Sequence, residues 1–158
     1  MPTNRDIVRA LYEALARGDG AALLGALDPE VVWIEADNYA YADRNPYIGP
    51  QQVAEGILAR FGNDWDATIV PERLLQDGDT VVAIGRCRGT FRATARHVDA
   101  QFVHVWTVRE GRVTRFEQYL DTLQFARVMD TGGAPVAAPA AAPGMPGAGA
   151  PAPTASTA

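Results

Sequence analysis

Ile7, Val8, Leu11, Ala14 and Leu15 recur at helical spacing and predict a first amphipathic helix, with Thr3 or Asn4 as its cap. Gly18 ends that helix. Asp19 can cap a second, short helix whose apolar face is Leu23, Leu24 and Leu27, and Asp28-Pro29 stops it. The β-branched and aromatic run Val31 to Glu35 then predicts a strand. After a polar, tyrosine-rich loop from Asp37 to Tyr47, Gly49-Pro50 opens a third helix with Val53, Ile57, Leu58 and Phe61 on one face. The rest alternates with a period of two and predicts four strands: Ala67 to Leu75, Thr80 to Phe91, Gln101 to Arg109 and Arg112 to Leu120. His97-Val98-Asp99 can begin the third of these early. Gln76-Asp77-Gly78-Asp79 and Glu110-Gly111 are hairpin signals, and a short helix from Leu123 to Met129 closes the pattern.

Helices first, then an antiparallel meander, make an α+β domain over residues 1–130. A strongly curved sheet with helices across its open side encloses one conical pocket. Residues 131–158 break the pattern: they carry no charge and consist of Ala, Pro and Gly with a few Ser and Thr, Val136 and Met145 being the larger side chains. Such a segment buries too little apolar surface to offset its ordering entropy, so it is expected to be a disordered tail.

Charge and composition narrow the function. The net charge is −5 and every basic residue is arginine, with no basic cluster, which argues against a nucleic-acid partner. The arginine and alanine bias suggests a GC-rich, bacterial origin. The single cysteine, Cys87, excludes an internal disulfide, and His97 and His104 are too few for a histidine metal site. No cofactor motif is present. The amino terminus lacks the apolar run of a signal peptide and no stretch reaches the length of a membrane span, so no membrane partner and a cytoplasmic location are expected.

Alternation also sorts the strand residues by face. Phe102, His104 and Trp106 share one face of the third meander strand, Phe116, Gln118 and Leu120 one face of the fourth, and Trp33 and Glu35 one face of the first strand. These faces are large and apolar with one polar member each, as in a ligand-pocket wall. Trp33, Phe102, Trp106, Phe116 and Gln118 are therefore the expected substrate-binding residues, and His104 and Glu35 the catalytic candidates. A neutral His104 can donate a hydrogen bond to a developing oxyanion or move a proton. An apolar pocket would raise the pKa of Glu35 towards neutrality, as a base requires. A bulge of one residue would instead turn Glu35 outward and bring Asp37 in. Asp121 is expected to cap the last helix, Cys87 to lie in the core, and Arg86 and Arg88 to face solvent or a dimer partner. Tyr39, Tyr41 and Tyr47 could form a lid or a dimer contact, and Tyr12 is expected to be a packing residue.

Three segments carry a family likeness. The run Ile7 to Asp19, the Tyr47-Ile48-Gly49-Pro50 entry to a helix, and the ending Phe102 to Val108, Gly111-Arg112-Val113 and Phe116 to Asp121 resemble SnoaL-like proteins. These belong to the superfamily of nuclear transport factor 2 and ketosteroid isomerase. The likeness spans about Asn4 to Met129 and implies a cone-shaped α+β barrel, often a homodimer through the outer sheet face. Tyr119, Val103, Val105 and Val113 are the apolar residues expected on that face. The superfamily holds isomerases, cyclases, epoxide hydrolases, dehydratases and binding modules, so fold alone does not choose among them. By this resemblance His104 stands where ketosteroid isomerases place a protonated carboxylic acid. Gln118 replaces an aspartate that SnoaL-like cyclases use as acid/base, and a glutamine cannot transfer a proton at neutral pH. Two readings follow: a cofactor-free enzyme performing isomerisation, cyclisation, dehydration or epoxide opening on a mostly apolar, oxygenated small molecule, or a non-catalytic small-ligand domain.

Overall fold

A computed structural model describes residues 1–130; the expected tail at 131–158 lies outside the described residues. Helix α1 (Asn4–Ala16) starts at Thr3, whose side chain accepts from the Asp6 backbone N–H while Asp6 bonds back, a reciprocal capping box. Its buried face is Val8, Leu11, Tyr12 and Ala14. Helix α2 (Gly20–Gly25) is capped by Asp19. Strand β1 (Leu27–Ile34) starts earlier than the Asp28-Pro29 break suggests. Proline is tolerated there because this part of β1 lies outside the regular ladder, between register points Leu27 and Val32.

A two-residue strand, β2 (Tyr47–Ile48), emerges from the tyrosine-rich loop and pairs antiparallel with β1. The third predicted helix is a composite. Helix α3 (Gly49–Val53), with Pro50 in its first turn, passes through a π-helical segment (Ala54–Leu58) into α4 (Ala59–Asp64). Gly56 sits in the π segment directly against the ring of Tyr47, and a Cβ there would collide with that ring. Strands β3 (Trp65–Asp77), β4 (Thr80–Phe91), β5 (Arg96–Arg109) and β6 (Arg112–Leu120) form the meander, and β5 does begin before His97. Helix α5 (Thr122–Met129) is capped by Asp121, as expected.

The six strands make one curved sheet in the order β2-β1-β6-β5-β4-β3, open between β2 and β3 rather than closed into a barrel. The meander is antiparallel, but β1 adds beside β6 in parallel. A bulge between Pro71 and Arg73 interrupts β3 opposite Gly85, which has no room for a side chain against the β3 backbone.

One outer-face expectation fails. Val113 is fully buried. A register shift between Thr107 and Val108 sets Val113 opposite Val108, and the Val113 N–H bonds to the Ala26 carbonyl, which turns the side chain into the core. Val103 and Val105 are half-buried and Tyr119 is 57 % exposed on the convex side. Arg86 and Arg88 also lie outside the core, both paired with Asp99.

Candidate functional site

Inside the cone lies a cavity of about 340 Å³. Trp33, Glu35, Phe102, His104, Trp106, Phe116 and Gln118 all line it. Sheet register brings them together in rows. Trp33 pairs with Phe116 and Phe116 with Trp106, so these three form one row across β1, β6 and β5. Trp33 stacks on Phe116 at 3.8 Å between ring centroids, and Trp106 meets Phe116 edge-on at 4.6 Å. One step along, Gln118 pairs with His104, and Glu35 follows directly on the last ladder pair, Ile34 with Glu117. The polar row of the cavity is therefore Glu35, Gln118 and His104, laid on an aromatic floor.

Among the described residues Glu35 is the buried carboxylate and His104 the buried imidazole, at 2 % and 4 % exposure. Asp37 is exposed, so no bulge exchanges the two acids. The backbone of Glu35 is held by a residue the sequence reading missed. The Asn45 side-chain oxygen accepts from the Glu35 N–H at 2.9 Å, and its amide donates to the Glu35 carbonyl at 2.8 Å. A side-chain amide here replaces a neighbouring strand where β1 runs out. The Glu35 carboxylate is fixed at one oxygen, Oε1, by the Trp33 indole N–H at 2.6 Å. Its other oxygen, Oε2, is buried without a partner. Burial pushes the Glu35 pKa up to about 7, and the Trp33 bond offsets only part of that.

His104 is stacked on Phe102 at 4.1 Å, and its Nδ1 lies 2.7 Å from the Tyr12 hydroxyl. The Trp106 indole N–H donates to the same hydroxyl at 3.1 Å. Tyr12 thus packs, as expected, and also orients the imidazole. With Trp106 filling one acceptor site on the Tyr12 oxygen, full pairing has the Tyr12 O–H donate to Nδ1, which leaves the proton of His104 on Nε2. Gln118 Nε2 stands 3.4 Å from that Nε2, and Gln118 Oε1 is buried and unpartnered. Turning the amide over resolves both: Oε1 then accepts from His104 Nε2–H. Desolvation pushes the His104 pKa down to about 3, so the ring is neutral and acts through hydrogen bonds.

The loop tyrosines are neither surface lid nor dimer contact, since Tyr39, Tyr41 and Tyr47 are all buried. Tyr39 and Tyr41 form the wall of the cavity facing the sheet residues, with Phe125 beside them. Tyr41 donates to Asp64 at 2.8 Å and lies under the Arg60 guanidinium, and Tyr47 donates to the Tyr41 carbonyl. Cys87 lines the cavity too, and burial pushes its thiol up to about 12, which keeps it inert. Ala16, Gly18, Gly62 and Thr68 are lining residues that are also exposed, and mark the mouth between the α1–α2 turn, α4 and β3. Among the described residues no group of three or more His, Cys, Asp or Glu side chains is placed to hold a metal ion, and no helix is long and apolar enough to cross a membrane.

This architecture has known relatives. A model of the SnoaL-like domain matches residues 8–116. No curated protein matches the chain. Among solved structures, an NTF2-like protein from Burkholderia thailandensis E264 is 34 % identical, with a TM-score of 0.78 over 82 % of this chain and 99 % of that one. An NTF2-like protein of unknown function from Burkholderia pseudomallei K96243 is 30 % identical, with a TM-score of 0.74 over 82 % and 98 %. TerC, co-crystallized with polyporic acid, is 26 % identical, with a TM-score of 0.71 over 79 % and 96 %. With the sheet order, the enclosed cavity and a domain match across most of residues 1–130, the chain belongs to the SnoaL-like domain family and has the NTF2-like α+β cone.

Proposed function

We propose that the cavity is the active site of a cofactor-free enzyme that moves a proton on a small, largely apolar, oxygen-bearing molecule. The observation that carries this reading is the Glu35 carboxylate: desolvated, anchored at Oε1 and unpartnered at Oε2, with its pKa near neutrality. A base is most effective when its pKa lies near the working pH and its free oxygen faces the substrate. In the proposed step the Glu35 carboxylate, once a bound molecule reaches it, takes a proton from a carbon next to a carbonyl or from water. The charge that builds on the substrate oxygen is met by the N–H groups of the Gln118 amide, whose oxygen is held by His104 Nε2–H. Neutral His104, held by Tyr12, serves here to orient Gln118 and Gln118 serves as the donor, while Trp33, Phe102, Trp106 and Phe116 supply the apolar floor. The same arrangement serves isomerisation, cyclisation, dehydration or epoxide opening. TerC, a similar protein co-crystallized with polyporic acid, supports an organic small molecule as the occupant. Exposed Tyr119 beside Val103 and Val105 supports a homodimer through the convex sheet face, and the cytoplasm is the proposed compartment.

The second reading, a ligand-binding domain without catalysis, draws on one observation: His104 is held too low to act as an acid, which leaves Glu35 without a titrating partner in the cavity. Exchange of α-protons for deuterium, followed by NMR on a panel of small cyclic and aryl ketones in D₂O, separates the two. The enzyme reading expects the protein to accelerate exchange of at least one ketone and Glu35→Gln to lose about 10²–10⁴ of that rate. Binding without accelerated exchange across the panel would favour the binding domain.

A further inference from the structure

Four tyrosines are buried: Tyr12, Tyr39, Tyr41 and Tyr47. The hydroxyls of Tyr12, Tyr41 and Tyr47 all have protein partners. The hydroxyl of Tyr39 has none among the described residues, although the residue is only 6 % exposed. That oxygen is not among the fully enclosed unpartnered atoms, and the side chain lines the cavity. Buried hydroxyls are ordinarily paired, and an unpaired one in a cavity wall marks where a ligand atom would bond.

The ring is held in place. It meets Tyr41 edge-on at 5.0 Å and Phe125 edge-on at 5.2 Å. Its backbone is fixed on both sides, with Tyr39 N–H bonded to the Ala36 carbonyl at 3.1 Å and Ala42 N–H to the Tyr39 carbonyl at 2.9 Å. Asn38 makes the turn in left-handed backbone at φ 64°, a conformation asparagine tolerates. Burial, and after it the negative charge of Glu35, holds the phenol well above its usual pKa, so it keeps its proton and acts as a donor.

We propose that Tyr39 is a further ligand-contacting residue, whose hydroxyl donates a hydrogen bond to an oxygen of the bound molecule. This rests on the reading of the cavity as a proton-transfer site. With a ketone bound, Glu35 takes the α-proton, the C–H electron pair forms the C=C bond, and the carbonyl π pair moves onto oxygen. Tyr39 O–H stabilises that oxygen while retaining its own proton, and return of a proton from Glu35 to carbon closes the cycle.

Tyr39→Phe removes the hydroxyl and keeps both ring contacts. We use 1-tetralone, a rigid aryl ketone, and tetralin, its hydrocarbon counterpart, as probes, with binding read by calorimetry. The variant is expected to melt within about a degree of the wild type, to bind 1-tetralone about three- to tenfold more weakly, and to bind tetralin unchanged. The assignment is overturned by unchanged 1-tetralone binding in the variant, by a melting temperature several degrees lower, which would reveal a protein partner for the hydroxyl, or by a wild type with no preference for 1-tetralone over tetralin, including failure to bind either. The two proposals fail separately. Exchange lost in Glu35→Gln but untouched in Tyr39→Phe sinks Tyr39 alone. A ketone-specific defect in Tyr39→Phe with no exchange by the wild type sinks only the enzyme.

Discussion

Glu35 and His104 make opposing contributions to the pH dependence of folding, and removing either one should expose the other. Glu35 has a pKa of about 7 in the folded protein against 4.5 when unperturbed, so the folded state holds this proton over a range where the unfolded chain has released it. Its contribution to stability is complete below pH 4.5 and is lost as the pH rises to 7. His104 has a pKa of about 3 against 6.5, so its contribution is complete above pH 6.5 and is lost as the pH falls towards 3. Between pH 4.5 and 6.5 both act, each with a slope of about 1.4 kcal/mol per pH unit and of opposite sign, so about 3 kcal/mol is cancelled across the window. Urea unfolding followed by tryptophan fluorescence measures this directly, with the surface carboxylates acting as a common background. Relative to the wild type, Glu35→Gln should gain about 3 kcal/mol from pH 4.5 to 6.5, and His104→Gln should lose about as much. Gln at position 104 still offers Tyr12 an acceptor, which limits the constant offset. Profiles of both variants running parallel to the wild type would refute the burial argument for the two groups.

Three further outcomes follow from the same structure. Tyr12→Phe leaves the Trp106 indole and His104 Nδ1 without their shared partner and should cost about 1–3 kcal/mol in urea unfolding, with the His104 tautomer shift visible by ¹⁵N NMR; an unchanged tautomer would remove the orienting role. Gly62 stands at the mouth with open space around its Cα, so Gly62→Leu should slow 1-tetralone association in stopped flow without lowering the melting temperature. The convex face should make the protein a dimer in light scattering at micromolar concentration, and Tyr119→Asp should shift it towards monomer.

The period-two pattern was enough to place Phe102, His104 and Trp106, then Phe116 and Gln118, then Trp33 and Glu35 on cavity-facing positions, because in a strand one residue of slip reverses the face. Pattern failed where tertiary contacts override alternation. Val113 turns inward at the β5–β6 register shift, and β2 forms from two residues that pair only because β1 lies beside them. Gly56, in the π segment, packs against the Tyr47 ring, a contact that periodicity does not signal. Tyr12 was legible as core, but its bond to His104 spans 92 residues and leaves no local signal. Asn45 sits in a loop whose polarity reads as solvent exposure; the signal available was an asparagine just before a proline, placed to bond backbone where a strand ends.

The central claim is that Glu35 moves protons from within an apolar cavity with a pKa near neutrality, and the pH profile of α-deuterium exchange on the panel ketone that the protein exchanges fastest tests it most directly. The rate catalysed by the wild type should rise about tenfold per pH unit and level off near pH 7, where Glu35 is ionised. A profile that levels near pH 4.5, the ordinary range of a glutamate in water, or exchange no faster than in buffer alone, would contradict it.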